Sequence, residues 1–112
     1  MTQRHQGKKL AGAVIAVVAR ALITRLRPTV TIWFHQPLAL VDRSGGKLSV
    51  ERRFARIARL PLRRISPYPG TATRWQNHRF PGTTAFVVEL PPSPVGARRI
   101  DRYARATLDV VR

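Results

Sequence analysis

The stretch "TVTIWFHQP", residues 29–37, is β-branched and aromatic as far as a histidine, and a proline then stops it. Val30, Ile32, Trp33 and Phe34 make the apolar run nearly continuous. Such a run suits a strand covered on both faces, as in a parallel or mixed sheet. A second stretch, "TTAFVVELP" at residues 83–91, repeats the design with Glu89 in the place of His35. One histidine and one carboxylate therefore each end a strand.

Working outward, Ala13 to Arg27 reads as a helix closed by Pro28, because the residue before a proline is pushed out of the α region. "VDRSGGKLSVE" (residues 41–51) reads as a loop with a Ser-Gly-Gly turn. Glu51 to Leu60 is a short amphipathic helix with Phe54, Ile57 and Ala58 on one face, arginines on the other, and Ser49 as its cap. "PLRRI" after it suits a short strand. "SPYPGTATRWQNHRFPG" (residues 66–82) reads as a long irregular loop holding Tyr68, Trp75 and His78, of a length that often marks a binding element. Thr83 to Leu90 is the second strand, and Val95 to Val111 a closing helix. Alternating helices and strands argue an α/β fold. In open α/β sheets, sites lie outside the carboxyl ends of the strands, where His35 and Glu89 both fall.

A neutral imidazole ligates zinc through one nitrogen, and a carboxylate beside the metal takes a proton from bound water. His35 with Glu89 is thus half of a hydrolytic zinc site. A catalytic zinc needs three protein ligands and an open position. Two plainer explanations compete. A strand-end histidine also serves as a hydrogen-bonded structural residue, and a carboxylate following "AFVV" at a core margin needs a partner, which any of the many arginines would supply. His78 lies in a polar stretch and His5 near the terminus, and neither takes a role.

The chain has 112 residues, enough for one domain with a modest core. Twenty-one Lys and Arg face five acids (Asp42, Glu51, Glu89, Asp101, Asp109), a formal charge of +16. Such an excess attracts polyanions, whether nucleic acid, anionic lipid or cell-wall polymer. A small basic polyanion-binding or nucleic-acid-binding protein is therefore the alternative function, although no helix-turn-helix, zinc finger or aromatic RNA-binding motif is present. Without cysteine there is neither a disulfide framework nor a thiolate metal site. Lys8 and Lys9 before the apolar run Leu10 to Ala19 resemble a secretory signal. The run is too short to span a bilayer, and an ordinary buried helix with Arg20, Thr24 and Arg27 on its polar side explains it as well. A cytoplasmic location is the expectation, with export as the alternative.

"TIWFHQP" and "YPGTATRWQNHRFPGTTAFVVELP", with the separation between them, resemble the C-terminal part of the zinc carboxypeptidase family, and within it the bacterial members related to murein peptide amidase. The similarity runs from about Ala21 to the C-terminus. It is specific in the two strand motifs and weak between them. It implies a partial α/β/α sandwich around a mixed sheet, with residues 20–112 as the C-terminal part of a carboxypeptidase-like domain and residues 1–19 an unassigned basic and apolar segment. By resemblance, His35 is a zinc ligand and Glu89 the general base and acid. Tyr68 would close over the substrate carboxylate, and Thr73 and Arg74 would lie near the specificity pocket. The cofactor implied is zinc, and the substrate is a peptide or cell-wall peptide cut beside a free carboxylate. The family's first two ligands come from an H-x-x-E motif, and none of His5, His35 and His78 has a glutamate three residues on. The arginines that grip the substrate carboxylate also have no counterpart. The expectation is a C-terminal portion whose partner is the missing N-terminal half of the enzyme.

Overall fold

The computed structural model describes residues 3–65 and 71–112, with only the helical backbone for residues 3–13. The elements are α1 (Gln3–Leu26), β1 (Val30–His35), β2 (Leu40–Asp42), α2 (Leu48–Ala58), β3 (Leu62–Arg63), α3 (Ala72–Arg79), β4 (Thr84–Glu89) and α4 (Ala97–Val110). The four strands form one mixed sheet in the order β1-β4-β2-β3. β1 runs parallel to β4, β4 antiparallel to β2, and β2 parallel to β3.

Side chains alternate along a strand, and the register sorts them onto two faces. On one, Phe86 and Val88 of β4 meet α2 and α4. Phe54 of α2 is fully buried there, edge-on to Phe86 at 5.6 Å and tilted against Phe34 at 6.4 Å. Burying such a ring contributes about 1.5–3 kcal/mol. Tyr103, Ala106 and Val110 form the matching stripe of α4 at helical spacing. On the other face lie α3 and α1, where Gln76 donates to the Thr31 hydroxyl at 2.9 Å and Ala16, Ala19 and Ile23 surround Trp33. The result is an α/β/α sandwich, the architecture expected.

Local details depart from the sequence reading in five places. β1 is not covered on both faces: it is the sheet's edge strand, half-buried at first and exposed at Phe34 and His35. β4, in the interior, is the buried one. Leu40–Asp42 form β2, which takes in the first two residues of the supposed loop at 41–51; a run so short carries no periodic signal. α2 starts earlier, at Leu48, so Ser49 lies inside its first turn and makes no cap; Lys47 takes that position without a side-chain bond. The supposed irregular loop contains α3, capped by Thr71, whose hydroxyl accepts from the Arg74 N–H. α1 is longer than expected and is not a buried helix, since Val14, Ile15, Val17, Val18, Leu22 and Leu26 are exposed. It does end as read: the Arg27 N–H closes on the Ile23 carbonyl at 2.7 Å, Arg27 turns to a φ of 46°, and Pro28 follows.

Where β2 veers from β4, side chains finish the ladder. Backbone pairing between them reaches only Val41↔Val88 and Leu40↔Glu89. Beyond that point Asn77 of α3 accepts from the Ala85 N–H at 2.8 Å and donates to the Ala85 carbonyl at 2.9 Å and the Ser44 carbonyl at 3.0 Å. The Ser44 hydroxyl accepts from the Val87 N–H at 3.3 Å. Two side chains thus stand in for a strand. Gly46 passes this spot so closely that a Cβ on it would lie 2.6 Å from Thr84 Cγ2, so only glycine fits.

Glu51 is the acid that holds the turn after β2. Its side chain is buried in the first turn of α2, and Oε2 accepts the Ser44 N–H at 2.8 Å. Burial raises its pKa above the ordinary 4.5; the Ser44 N–H opposes that, Asp42 adds to it, and Arg43 opposes it. A carboxyl whose folded pKa is raised binds more protons folded than unfolded. Its contribution is therefore complete below 4.5 and is lost as pH rises through the raised folded value. Urea midpoints taken from below that pH up to neutrality are expected to fall across this window, and Glu51→Gln is expected to flatten the slope. An unchanged slope in the variant would assign the pH dependence to another group.

Candidate active site

β1 and β4 carry the two residues of interest to the same edge. In the parallel register His35 stands opposite Glu89. Neighbouring strands lie about 4.8 Å apart, and partners in parallel strands project to the same face. Both therefore sit at the carboxyl end of the sheet, on the face that carries α3. The edge is fixed by backbone bonds: the Leu90 N–H donates to the His35 carbonyl at 2.7 Å, and the Ala39 N–H to the Leu90 carbonyl at 3.3 Å. Gln36 adds a side-chain bond to the Pro91 carbonyl at 3.0 Å. The turn from His35 back into β2 is thereby pinned to the end of β4.

The two residues differ in environment. His35 is exposed, with no side-chain hydrogen bond among the described residues, so the structural-histidine explanation finds no partner there. Glu89 is 7 % exposed, and its Oε2 is enclosed without a hydrogen-bond partner. The expected ion pair with an arginine does not form among the described residues; the ion pairs there join Arg53 to Asp109 and Arg105 to Asp101. An enclosed carboxylate oxygen with no donor is costly, and no donor reaches Oε2 among the described residues.

A cavity of about 170 Å³ opens beside this edge, lined by Asp42, Arg43, Ser44, Arg64, Thr71, Thr73, Arg74 and Val87. Val87 is two residues before Glu89 on the same face of β4, a rise of about 6.6 Å along the strand, and Glu89 itself is not among the lining residues. Thr73 is buried in the first turn of α3, with its hydroxyl 3.4 Å from that of Thr71. Thr73 and Arg74 thus share one polar hollow next to Glu89. Tyr68 lies outside the described residues. The sequence reading did not single out Asp42, Arg43, Ser44, Arg64 or Thr71; all but Arg64, which follows β3, are brought there by β2 and α3, the two elements it did not recognise.

The residues present do not make a zinc site. Among the described residues, no three His, Cys, Asp or Glu side chains cluster to hold a metal ion. His35 and Glu89 are two groups of opposite exposure, and His78, carried by α3, joins no such cluster. A catalytic zinc takes three protein ligands, and the described residues bring together fewer.

No family model matches the chain, and no curated relative does. Among solved structures, the murein-tripeptide amidase of Escherichia coli O157 is similar, with a TM-score of 0.55 and 21 % identity over 83 % of this chain. The match takes in 37 % of the amidase, so the chain spans well under half the length of that enzyme. Likeness at this identity concerns the backbone. The shared feature is the α/β sandwich with its mixed sheet: the chain has, in part, the fold of a peptide amide hydrolase.

Proposed function

We propose that this chain carries the acid–base half of a peptide amide hydrolase, with Glu89 as the group that takes a proton from the attacking water and returns it to the leaving amine. The observation that carries the reading is Glu89 itself, a carboxylate buried at the carboxyl edge of the sheet with an unpartnered oxygen, in register with His35. A carboxylate kept there at a cost to folding is what an acid–base role requires. His35 contributes one metal-ligand position, and any zinc would take its other ligands from polypeptide outside the described residues. The cavity lined by Thr73 and Arg74 receives the side chain next to the scissile amide. The substrate is then a peptide, or a cell-wall peptide such as the one named for the similar amidase, cut beside a free carboxylate.

Calorimetric titration of the chain with zinc is expected to show weak binding, far from saturation at one equivalent, because one ligand leaves most of a tetrahedral ion's positions open. Tight one-to-one binding that His35→Ala leaves intact would put the metal elsewhere and sink the assignment of His35. Mixed with zinc alone, the chain is expected to leave murein tripeptide uncut. Cleavage that persists in Glu89→Gln would remove Glu89 from the chemistry.

A further inference from the structure

α1 is apolar on the side that faces away from the protein. Its inner stripe is Ala16, Ala19, Arg20 and Ile23, at helical spacing; Ile23 is buried, and the Arg20 guanidinium lies 5.1 Å over the Trp75 ring. At 3.6 residues per turn, Val14, Val18, Leu22 and Leu26 form a ridge on the outer side, with Ile15 within it and Val17 at its margin. All six side chains are more than half exposed. Six large aliphatic groups in one outward patch call for an apolar environment.

We infer that this ridge seats on an anionic lipid surface, with α1 lying along the membrane plane. Charge selects the occupant. Six basic residues (Arg4, Lys8, Lys9, Arg20, Arg25, Arg27) precede the first acid of the chain, Asp42, and of these Arg20 and Arg27 lie over the Trp75 and Phe80 rings. Arg25 is exposed and falls within the arc of the ridge, between Val14 and Val18 in projection. A long arginine there reaches a phosphate headgroup while its stem stays in the apolar layer. A second copy is the poorer occupant, since facing ridges would oppose Arg25 to Arg25 on chains of charge +16 each. Polypeptide that continues the sheet is also the poorer occupant. Added beside β1, such polypeptide would lie in the sheet layer, whereas the ridge is on the outer surface of α1. Among the described residues no helix is long and apolar enough to cross a membrane, so the contact is with the surface.

Co-sedimentation with phosphatidylcholine vesicles, with and without phosphatidylglycerol, tests this on the whole chain. At physiological salt the protein is expected to bind the phosphatidylglycerol vesicles, and the exposed pair Val18→Gln with Leu22→Gln to weaken binding by about tenfold or more. Heparin binding by the same variant should be unchanged, and its circular dichroism should keep the helix. A Leu22→Trp reporter should shift its emission to the blue on binding. Three results would each overturn the inference. One is vesicle binding indifferent to the glutamines and abolished by salt, which is generic polyanion attraction. Another is no vesicle binding. The last is a concentration-dependent dimer broken by the glutamines, which would give the ridge to a second copy.

Discussion

Asn77→Ala is expected to lower stability by about 3 kcal/mol or more, a large share of the 5–15 kcal/mol that holds a domain folded. The amide of Asn77 makes three hydrogen bonds, two of them to Ala85 in the buried strand β4 and one to the Ser44 carbonyl. Its removal leaves a backbone N–H and two carbonyls without partners, at roughly 1–3 kcal/mol for each buried group that water does not reach. Asn77→Asp keeps an acceptor for the Ala85 N–H but turns a carboxylate oxygen toward two carbonyls, so it is expected to be no better. Denaturant midpoints measure both. A loss under about 1 kcal/mol would mean that water replaces the amide, and that β4 is more open on this side than its burial indicates.

Glu89→Met is expected to act in the opposite direction, raising stability by about 1–3 kcal/mol. The substitution keeps the length of the side chain and removes the enclosed oxygen that has no donor. Replacing an unsatisfied buried acceptor with an apolar group recovers its desolvation cost. For a chain of this size each kcal/mol moves the thermal midpoint by roughly 4–8 °C, so the shift is readily measured. Stabilisation on loss of a polar residue is the signature of a site kept for chemistry at the expense of folding. A destabilised Glu89→Met would instead show that the carboxylate supports the structure, and the acid–base reading would lose its main support.

Much of this arrangement was legible in the residues. The β-branched run ending at His35 and its counterpart ending at Glu89 located two strands and put both side chains at one sheet edge; the register then made them direct partners. Phe54 and Ala58 marked the inner face of α2, and both are fully buried. What stayed hidden shares one cause, namely short elements set by tertiary contacts. β2 is three residues long. α3 has little apolar periodicity and is held by polar bonds from Gln76 and Asn77 rather than by an apolar stripe. Thr71 was the available signal, a threonine ahead of a helical stretch, and it does cap the helix. The apolar run of α1 announced a helix but not which way it faced. Burial of an apolar segment is inferred from composition only when a partner surface exists, and along α1 the partner surface covers one narrow side.

The unpaired outer side of β1 has a consequence for the chain as a colloid. An edge strand bearing Phe34 in the open is a template on which a like chain can add. Between free molecules that event is opposed by the mutual repulsion of two +16 bodies. The repulsion is long-ranged in dilute buffer and shrinks to a Debye length of about 8 Å at physiological ionic strength. Added salt therefore weakens this barrier between the edges while leaving their backbone hydrogen bonds intact. The protein should be kept at low ionic strength, the reverse of the usual practice for a basic chain prone to trap nucleic acid.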